Sequence, residues 1–125
     1  MLFDTDVLIW HQRESTEASR ALAEADARTL SIMSYIELMQ GARDRHDTRE
    51  IRSMLADFDF RVLPLSESIG HRASIYVEEH ALASRIGAFD AIVAATAVEH
   101  GLVLCTGNAR RYRMITDLEI RAFRP

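Results

Sequence analysis

Short apolar runs alternate along the chain with stretches whose apolar positions recur every three or four residues, the pattern of an α/β fold on a largely parallel sheet. Leu2-Phe3 opens a first strand that stops at Asp4-Thr5-Asp6, and Val7-Leu8-Ile9-Trp10 begins a helix. Ala18, Ala21, Leu22 and Ala25 repeat at helical spacing, a small-residue face that fits a helical dimer surface and interior packing equally well. Thr29 to Met33 reads as a second strand, after which Ser34 caps a helix running to about Ala42. Asp47 with Glu50 marks the start of the next helix, with Ile51, Met54, Leu55 and Phe58 on its apolar face. Arg61-Val62-Leu63 is a third strand ended by Pro64, and Ser66 opens a helix with Ile69, Ala73, Tyr76 and His80 on one side. Gly87 to His100 is a helix that is apolar nearly all round, hence buried, and Gly101 closes it. Leu102 to Cys105 is a fully apolar fourth strand, Asn108 to Ile115 a short helix, and Glu119 to Phe123 a weak final strand.

This layout has a chemical consequence. In open α/β sheets, ligands bind outside the carboxyl ends of the strands, where strand order reverses. Asp4 and Asp6 end the first strand, Glu37 lies in the first turn after the second, and Asn108 follows the fourth by three residues. The helix that begins near Asp90 leads back to the start of the fourth strand and so runs antiparallel to it, which puts Asp90 at the carboxyl edge too. Polar residues distant in sequence converge on one edge.

Each of them also has a plainer reading. Asp90 sits among Ala88, Phe89, Ala91, Ile92 and Val93; a carboxylate at the head of a buried helix needs a cation, a metal or hydrogen bonds from first-turn amides. Ser34-Tyr35-Ile36-Glu37 has the form of a capping box, in which the glutamate folds back onto the cap amide, and only the edge shared with Asp4 and Asp90 argues for chemistry. Asp4-Thr5-Asp6 fits both local turn bonding and a Mg²⁺ site, which uses hard oxygen ligands and one or two carboxylates.

Composition narrows the classes. The 125 residues are 48% hydrophobic and 27% charged, a size and balance that predict one domain over 1–125 and exclude disorder or a disulfide scaffold. The one cysteine, Cys105, lies in an apolar strand and reads as a small core residue; with no disulfide available, a reducing compartment is favoured. No apolar run is long enough to span a bilayer, and the first residues lack the basic start and apolar stretch of a signal peptide, so a cytoplasmic location is expected. All fifteen basic residues are arginine, which removes every mechanism that needs a lysine. A net charge of −4 disfavours nucleic-acid binding by bulk charge but not at an acidic metal site flanked by arginines. His11, His46, His71, His80 and His100 form no zinc motif, and His71 and His80 are expected to pack at the edge of a helix face. Arg43, Arg45, Arg49 and Arg52 read as a solvated helix face, whereas Arg110, Arg111 and Arg113 follow Asn108 on the active edge, where Arg110 and Arg111 are candidate contacts to substrate phosphates and the cluster equally suits a partner's acidic groups.

Four stretches together resemble the PIN domain, and in particular the VapC toxins of bacterial toxin–antitoxin pairs. They are Phe3-Asp4-Thr5-Asp6-Val7-Leu8-Ile9, Ser34-Tyr35-Ile36-Glu37-Leu38 with Gly41, Ile86 through Ala97 around Asp90, and Leu104-Cys105-Thr106-Gly107-Asn108. The resemblance runs from end to end in order. It implies a three-layer α/β/α domain with a central parallel sheet of about five strands in the order 3-2-1-4-5. It also implies an endoribonuclease dependent on Mg²⁺ or Mn²⁺, and a homodimer neutralised by a VapB-like antitoxin bound over the active edge. Carried over by position, Asp4, Glu37, Asp90 and Asn108 are the catalytic set, Asp4 and Asp90 hold the metal, and Thr5, Asp6 and Thr106 support them. Asn108 is neutral where many PIN domains carry an acid; Asp117 is the candidate to replace it.

Two other readings compete. A haloacid-dehalogenase-like phosphatase also begins with an apolar strand and D-x-D, matching Phe3-Asp4-Thr5-Asp6, but that family relies on a lysine that is absent here. A degenerate PIN fold that only binds RNA or a protein partner is the non-enzymatic alternative, and the intact trio Asp4, Glu37 and Asp90 argues against it.

Overall fold

The computed structural model describes all residues from Met1 to Pro125. Five short strands, β1 (Leu2–Phe3), β2 (Thr29–Ser31), β3 (Arg61–Leu63), β4 (Leu104–Thr106) and β5 (Ile120–Ala122), pair in parallel in the order β3-β2-β1-β4-β5. Six α-helices connect them: α1 (Thr5–Gln12), α2 (Thr16–Glu24), α3 (Ile32–Gln40), α4 (Arg45–Asp57), α5 (Glu67–Ser84) and α6 (Ala88–Glu99). A 3₁₀ turn, Ala109–Tyr112, follows β4. Strand order and layering agree with the sequence reading. No helix is long and apolar enough to cross a membrane.

Successive side chains on a strand point to opposite faces, so the sheet divides the apolar residues between two cores. Leu2, Leu63 and Leu104 join α5, α6 and Tyr112 on one side. Phe3, Leu30 and Cys105 join the apolar faces of α1 to α4 on the other. Ala18 and Leu22 are fully buried in that second core, so the small-residue face of α2 serves interior packing. Helix α6 is buried over most of its surface, as its composition demands. It closes in a Schellman arrangement: Gly101 at φ +62° donates its N–H to Val98 O, and Leu102 donates to Ala97 O.

Several boundaries differ from the sequence expectation, each for an identifiable reason. Helix α1 begins at Thr5 rather than Val7, because Asp4 caps it. Strand β2 ends at Ser31 rather than Met33: its partner β3 stops before Pro64, leaving nothing for Ile32 and Met33 to pair with. The cap of α3 is therefore Ser31, whose hydroxyl accepts the Met33 N–H at 3.2 Å, and the capping box predicted at Ser34 does not form. Helix α4 starts at Arg45 rather than at Asp47, because Asp44 accepts the Asp47 N–H at 2.9 Å while the Asp47 carboxylate reaches back to the Arg43 N–H at 3.0 Å. Leu102 is committed to closing α6, so β4 starts two residues later than predicted. Asn108 to Ile115 yields only the 3₁₀ turn, and His71 is exposed rather than packed.

The reassigned cap gives a paired prediction. Ser34 is fully buried and its hydroxyl has no hydrogen-bond partner. Ser31→Ala should lose about 1 kcal/mol of stability in urea denaturation, whereas Ser34→Ala, which removes an unsatisfied polar atom, should be neutral or stabilising. The reverse ranking would restore the Ser34 cap.

Candidate active site

Strand β1 ends by pointing the chain at the N-terminus of α1, and Asp4 occupies that junction. Its Oδ1 accepts the Thr5 N–H at 2.9 Å, the usual way of satisfying a first-turn amide. Its Oδ2 accepts two hydroxyls, Thr106 Oγ1 and Tyr112 Oη, both at 2.9 Å. Asp4 is only 6% exposed, so these bonds stand in for water. Thr106 Oγ1 in turn accepts the Asn108 N–H at 3.0 Å, which ties the segment after β4 to the same carboxylate.

Asp90 sits in the first turn of α6 and is half-buried. No backbone amide donates to it. Its Oδ1 lies 3.4 Å from Tyr112 Oη and 3.8 Å from Arg111 Nη1. One phenol hydroxyl thus stands between the carboxylates of Asp4 and Asp90. Sequence reasoning missed Tyr112: a tyrosine inside an arginine run carries no motif, and the one available sign was an aromatic four residues beyond Asn108 on the active edge.

Asp6 belongs to the same edge but faces β4. Its Oδ2 accepts the Gly107 N–H at 2.9 Å and the Asn108 side-chain Nδ2 at 3.1 Å. A Cβ on Gly107 would fall 2.5 Å from that oxygen, so a larger residue here would displace the Asp6 carboxylate. With its Nδ2 committed to Asp6, the Asn108 side-chain Oδ1 has no protein partner, while its main-chain oxygen accepts the Arg111 N–H at 3.0 Å. Thr5 Oγ1 and Asp6 Oδ1 are buried without any partner.

Glu37 is in the second turn of α3, not the first, since the helix starts at Ile32. Its side chain is exposed and makes no hydrogen bond, yet its charge helps to push Asp90 up. Arg111 faces Asp90, while Arg110 is exposed on the β4–β5 side and touches neither acid. Asp117 cannot replace an acid at this edge. It accepts from Arg72 at 3.0 Å and from Tyr76 at 3.0 Å, and the same Arg72 binds Glu99 at the far end of α6.

The charges are under-compensated. Burial and then the neighbouring Asp4 charge push the Asp6 carboxyl up to about 6, against the lowering pull of the Gly107 and Val7 amides and Arg111. Burial also raises Asp90, with Asp4 and Glu37 adding to the shift and Arg111 opposing it. No three His, Cys, Asp or Glu side chains form a ready cage for a metal ion. A hard divalent cation needs less than a cage: one or two carboxylates, waters and a substrate phosphate suffice. An all-oxygen donor set, a repelling pair at Asp4 and Asp90, and the unpartnered Asp6 Oδ1 fit such an ion.

The Asp6 shift has a defined sign. Because the folded value lies above the ordinary 3.8, the folded state binds this proton more tightly; the penalty is present above pH 6 and fades as pH falls towards 4. In metal-free protein, Asp6→Asn should be more thermostable than wild type at pH 7, and that advantage should shrink by pH 5. A pH-independent difference between the two melting curves would contradict the shift.

Residues 1–115 match the PIN domain family. Ribonuclease VapC10 of Mycobacterium tuberculosis is 35% identical over 123 residues, which is 95% of this chain and 90% of that protein. A toxin–antitoxin complex from Klebsiella pneumoniae contains a chain that superposes with a TM-score of 0.79 at 30% identity, covering 94% of this chain and 93% of that one. VapBC-1 from nontypeable Haemophilus influenzae gives a TM-score of 0.82 at 22% identity over 97% and 96% of the two chains, a likeness of fold. On these matches, and with its acids gathered at the carboxyl edge of a 3-2-1-4-5 sheet, the chain belongs to the PIN domain family.

Proposed function

We propose that this protein is a divalent-metal-dependent endoribonuclease, the toxin of a VapBC-type toxin–antitoxin pair, which hydrolyses RNA phosphodiester bonds at the edge built by Asp4, Glu37, Asp90 and Asn108. The observation that carries the reading is the meeting of Asp4 and Asp90 from distant parts of the chain around one hydroxyl, in a chain 35% identical to a named ribonuclease. Mg²⁺ suits the all-oxygen donors, with Mn²⁺ able to replace it. When bound, such a cation supplies Lewis acidity, activating water and offsetting charge on the phosphate.

The chain's own residues do the rest. Asp4 and Asp90 would hold the cation, and Thr106 and Tyr112 fix the orientation of the Asp4 carboxylate through their 2.9 Å hydrogen bonds. Glu37, its side chain exposed and free of hydrogen bonds, is the carboxylate available to take the proton of the attacking water. Arg111 lies against Asp90 yet is exposed, so its guanidinium can turn to a substrate phosphate. Asp6, Thr5 and Gly107 hold the loop that carries Asn108.

A cognate VapB-like antitoxin is the expected protein partner, by analogy with the 30% identical Klebsiella protein. A homodimer, a cytoplasmic location and a single domain over 1–125 complete the proposal. The buried free Cys105 supports a reducing compartment, and the one sheet shared by both cores supports a single domain.

Antitoxin-free protein should cleave RNA from a mixed cellular pool in Mg²⁺ and lose that activity in EDTA. Asp4→Asn and Asp90→Asn should each reduce cleavage by about a hundredfold or more. Asparagine is the better probe at position 4, because it keeps an acceptor for the α1 cap. Cleavage that persists in both variants would remove these residues from the chemistry.

A further inference from the structure

The arginine run after β4 is divided by its own geometry. In a 3₁₀ turn there are three residues per turn, so side chains at i and i+3 eclipse. Within and just past Ala109–Tyr112, this sends Arg110 and Arg113 to one side, Arg111 towards Asp90 and Tyr112 inward to Asp4. Arg110 and Arg113 line a cavity of about 420 Å³ at the carboxyl ends of β4 and β5, and Arg124 joins them from beyond β5. No aspartate or glutamate lines it, although acids outnumber bases 19 to 15 in the chain. None of the three guanidiniums is in an ion pair; those of Arg43, Arg72 and Arg111 are.

The cavity adjoins the acidic edge directly. Gly107 and Asn108 form its near wall, and both donate to Asp6 Oδ2 from that wall. We propose that this pocket binds a phosphodiester of the RNA strand flanking the cleaved bond. The substrate is thereby laid from Asp4 and Asp90 towards β5, on one side of the scissile phosphate. The inference rests on the ribonuclease reading and adds the subsite that sets the strand's direction. Guanidiniums are the side chains suited to phosphate, because their planar fork donates two parallel hydrogen bonds. The same forks also suit a partner's acidic groups; the pocket's continuity with the acidic edge through Gly107 and Asn108 favours the substrate strand.

The test combines binding and cleavage on the full chain. Binding of a fluorescein-labelled single-stranded RNA of mixed sequence is measured by anisotropy in Asp90→Asn protein, with and without Arg110→Ala, Arg113→Ala and Arg124→Ala together. The three substitutions should weaken binding by roughly tenfold or more, and reduce the steepness of log affinity against log salt by about 0.7, the share of one phosphate on a single strand. In otherwise wild-type protein they should raise KM for a cleaved RNA while leaving kcat within about twofold. A neutral methylphosphonate at one flanking linkage should then mimic the triple substitution and add nothing to it. Unchanged affinity and salt slope would overturn the pocket while leaving ribonuclease activity standing. Intact RNA binding with weakened inhibition by the antitoxin would also overturn it and assign the pocket to the partner's acidic groups. Lost RNA binding in a protein that cleaves no RNA would instead uphold the pocket and contradict the ribonuclease reading.

Discussion

Asp4 is a buried carboxylate whose two oxygens accept three hydrogen bonds, two of them from side chains 102 and 108 residues further along the chain. Everything at the carboxyl edge is arranged around keeping that charge in place. Its Oδ1 starts α1, its Oδ2 fixes Thr106 at the end of β4, and the Tyr112 hydroxyl that reaches it also faces Asp90. A buried charge is tolerated only where donors replace water. Here the donors come from three separate elements, so the carboxylate is fully satisfied only when α1, β4 and the 3₁₀ turn are in place together.

The same edge leaves negative charge in excess. Asp6 and Asp90 are both raised by burial and by neighbouring carboxylates, and Arg111 is the one cation that opposes the shift at each. A fold that sets repelling acids beside exposed guanidiniums suits a cation and a phosphate together. That links the electrostatics of the edge to hydrolysis of a phosphodiester, and it gives Gly107 its role, since any larger residue would expel Asp6 from the β4 loop.

Much of this was legible in the sequence, because it depended on periodicity. Apolar runs and helical spacing locate β1, β3, α5 and α6, and the return of α6 to β4 is what brings Asp90 beside Asp4. What sequence could not supply depended on partners in space. Ser31 reads as a strand residue and Ser34 as the cap; β3, which Pro64 ends, leaves β2 unpaired beyond Ser31, and the cap falls there instead. Glu37 fits a capping box by spacing and fails it because α3 starts three residues earlier than Ser34 would require. Tyr112 gives no signal because its role comes entirely from its two carboxylate neighbours. The arginine run reads as one patch, and only the 3₁₀ geometry separates Arg111 from Arg110 and Arg113.

The central claim is that Asp4 and Asp90, held in register by the Tyr112 hydroxyl, form the cation site. Titration of Mn²⁺ into RNA-free protein, followed by electron paramagnetic resonance, tests it without reference to any activity. The account predicts saturable binding by wild type, its loss in Asp90→Asn, and an affinity reduced on the order of tenfold in Tyr112→Phe, which keeps the buried ring and removes only the hydroxyl. Equal Mn²⁺ affinity in all three proteins would contradict it.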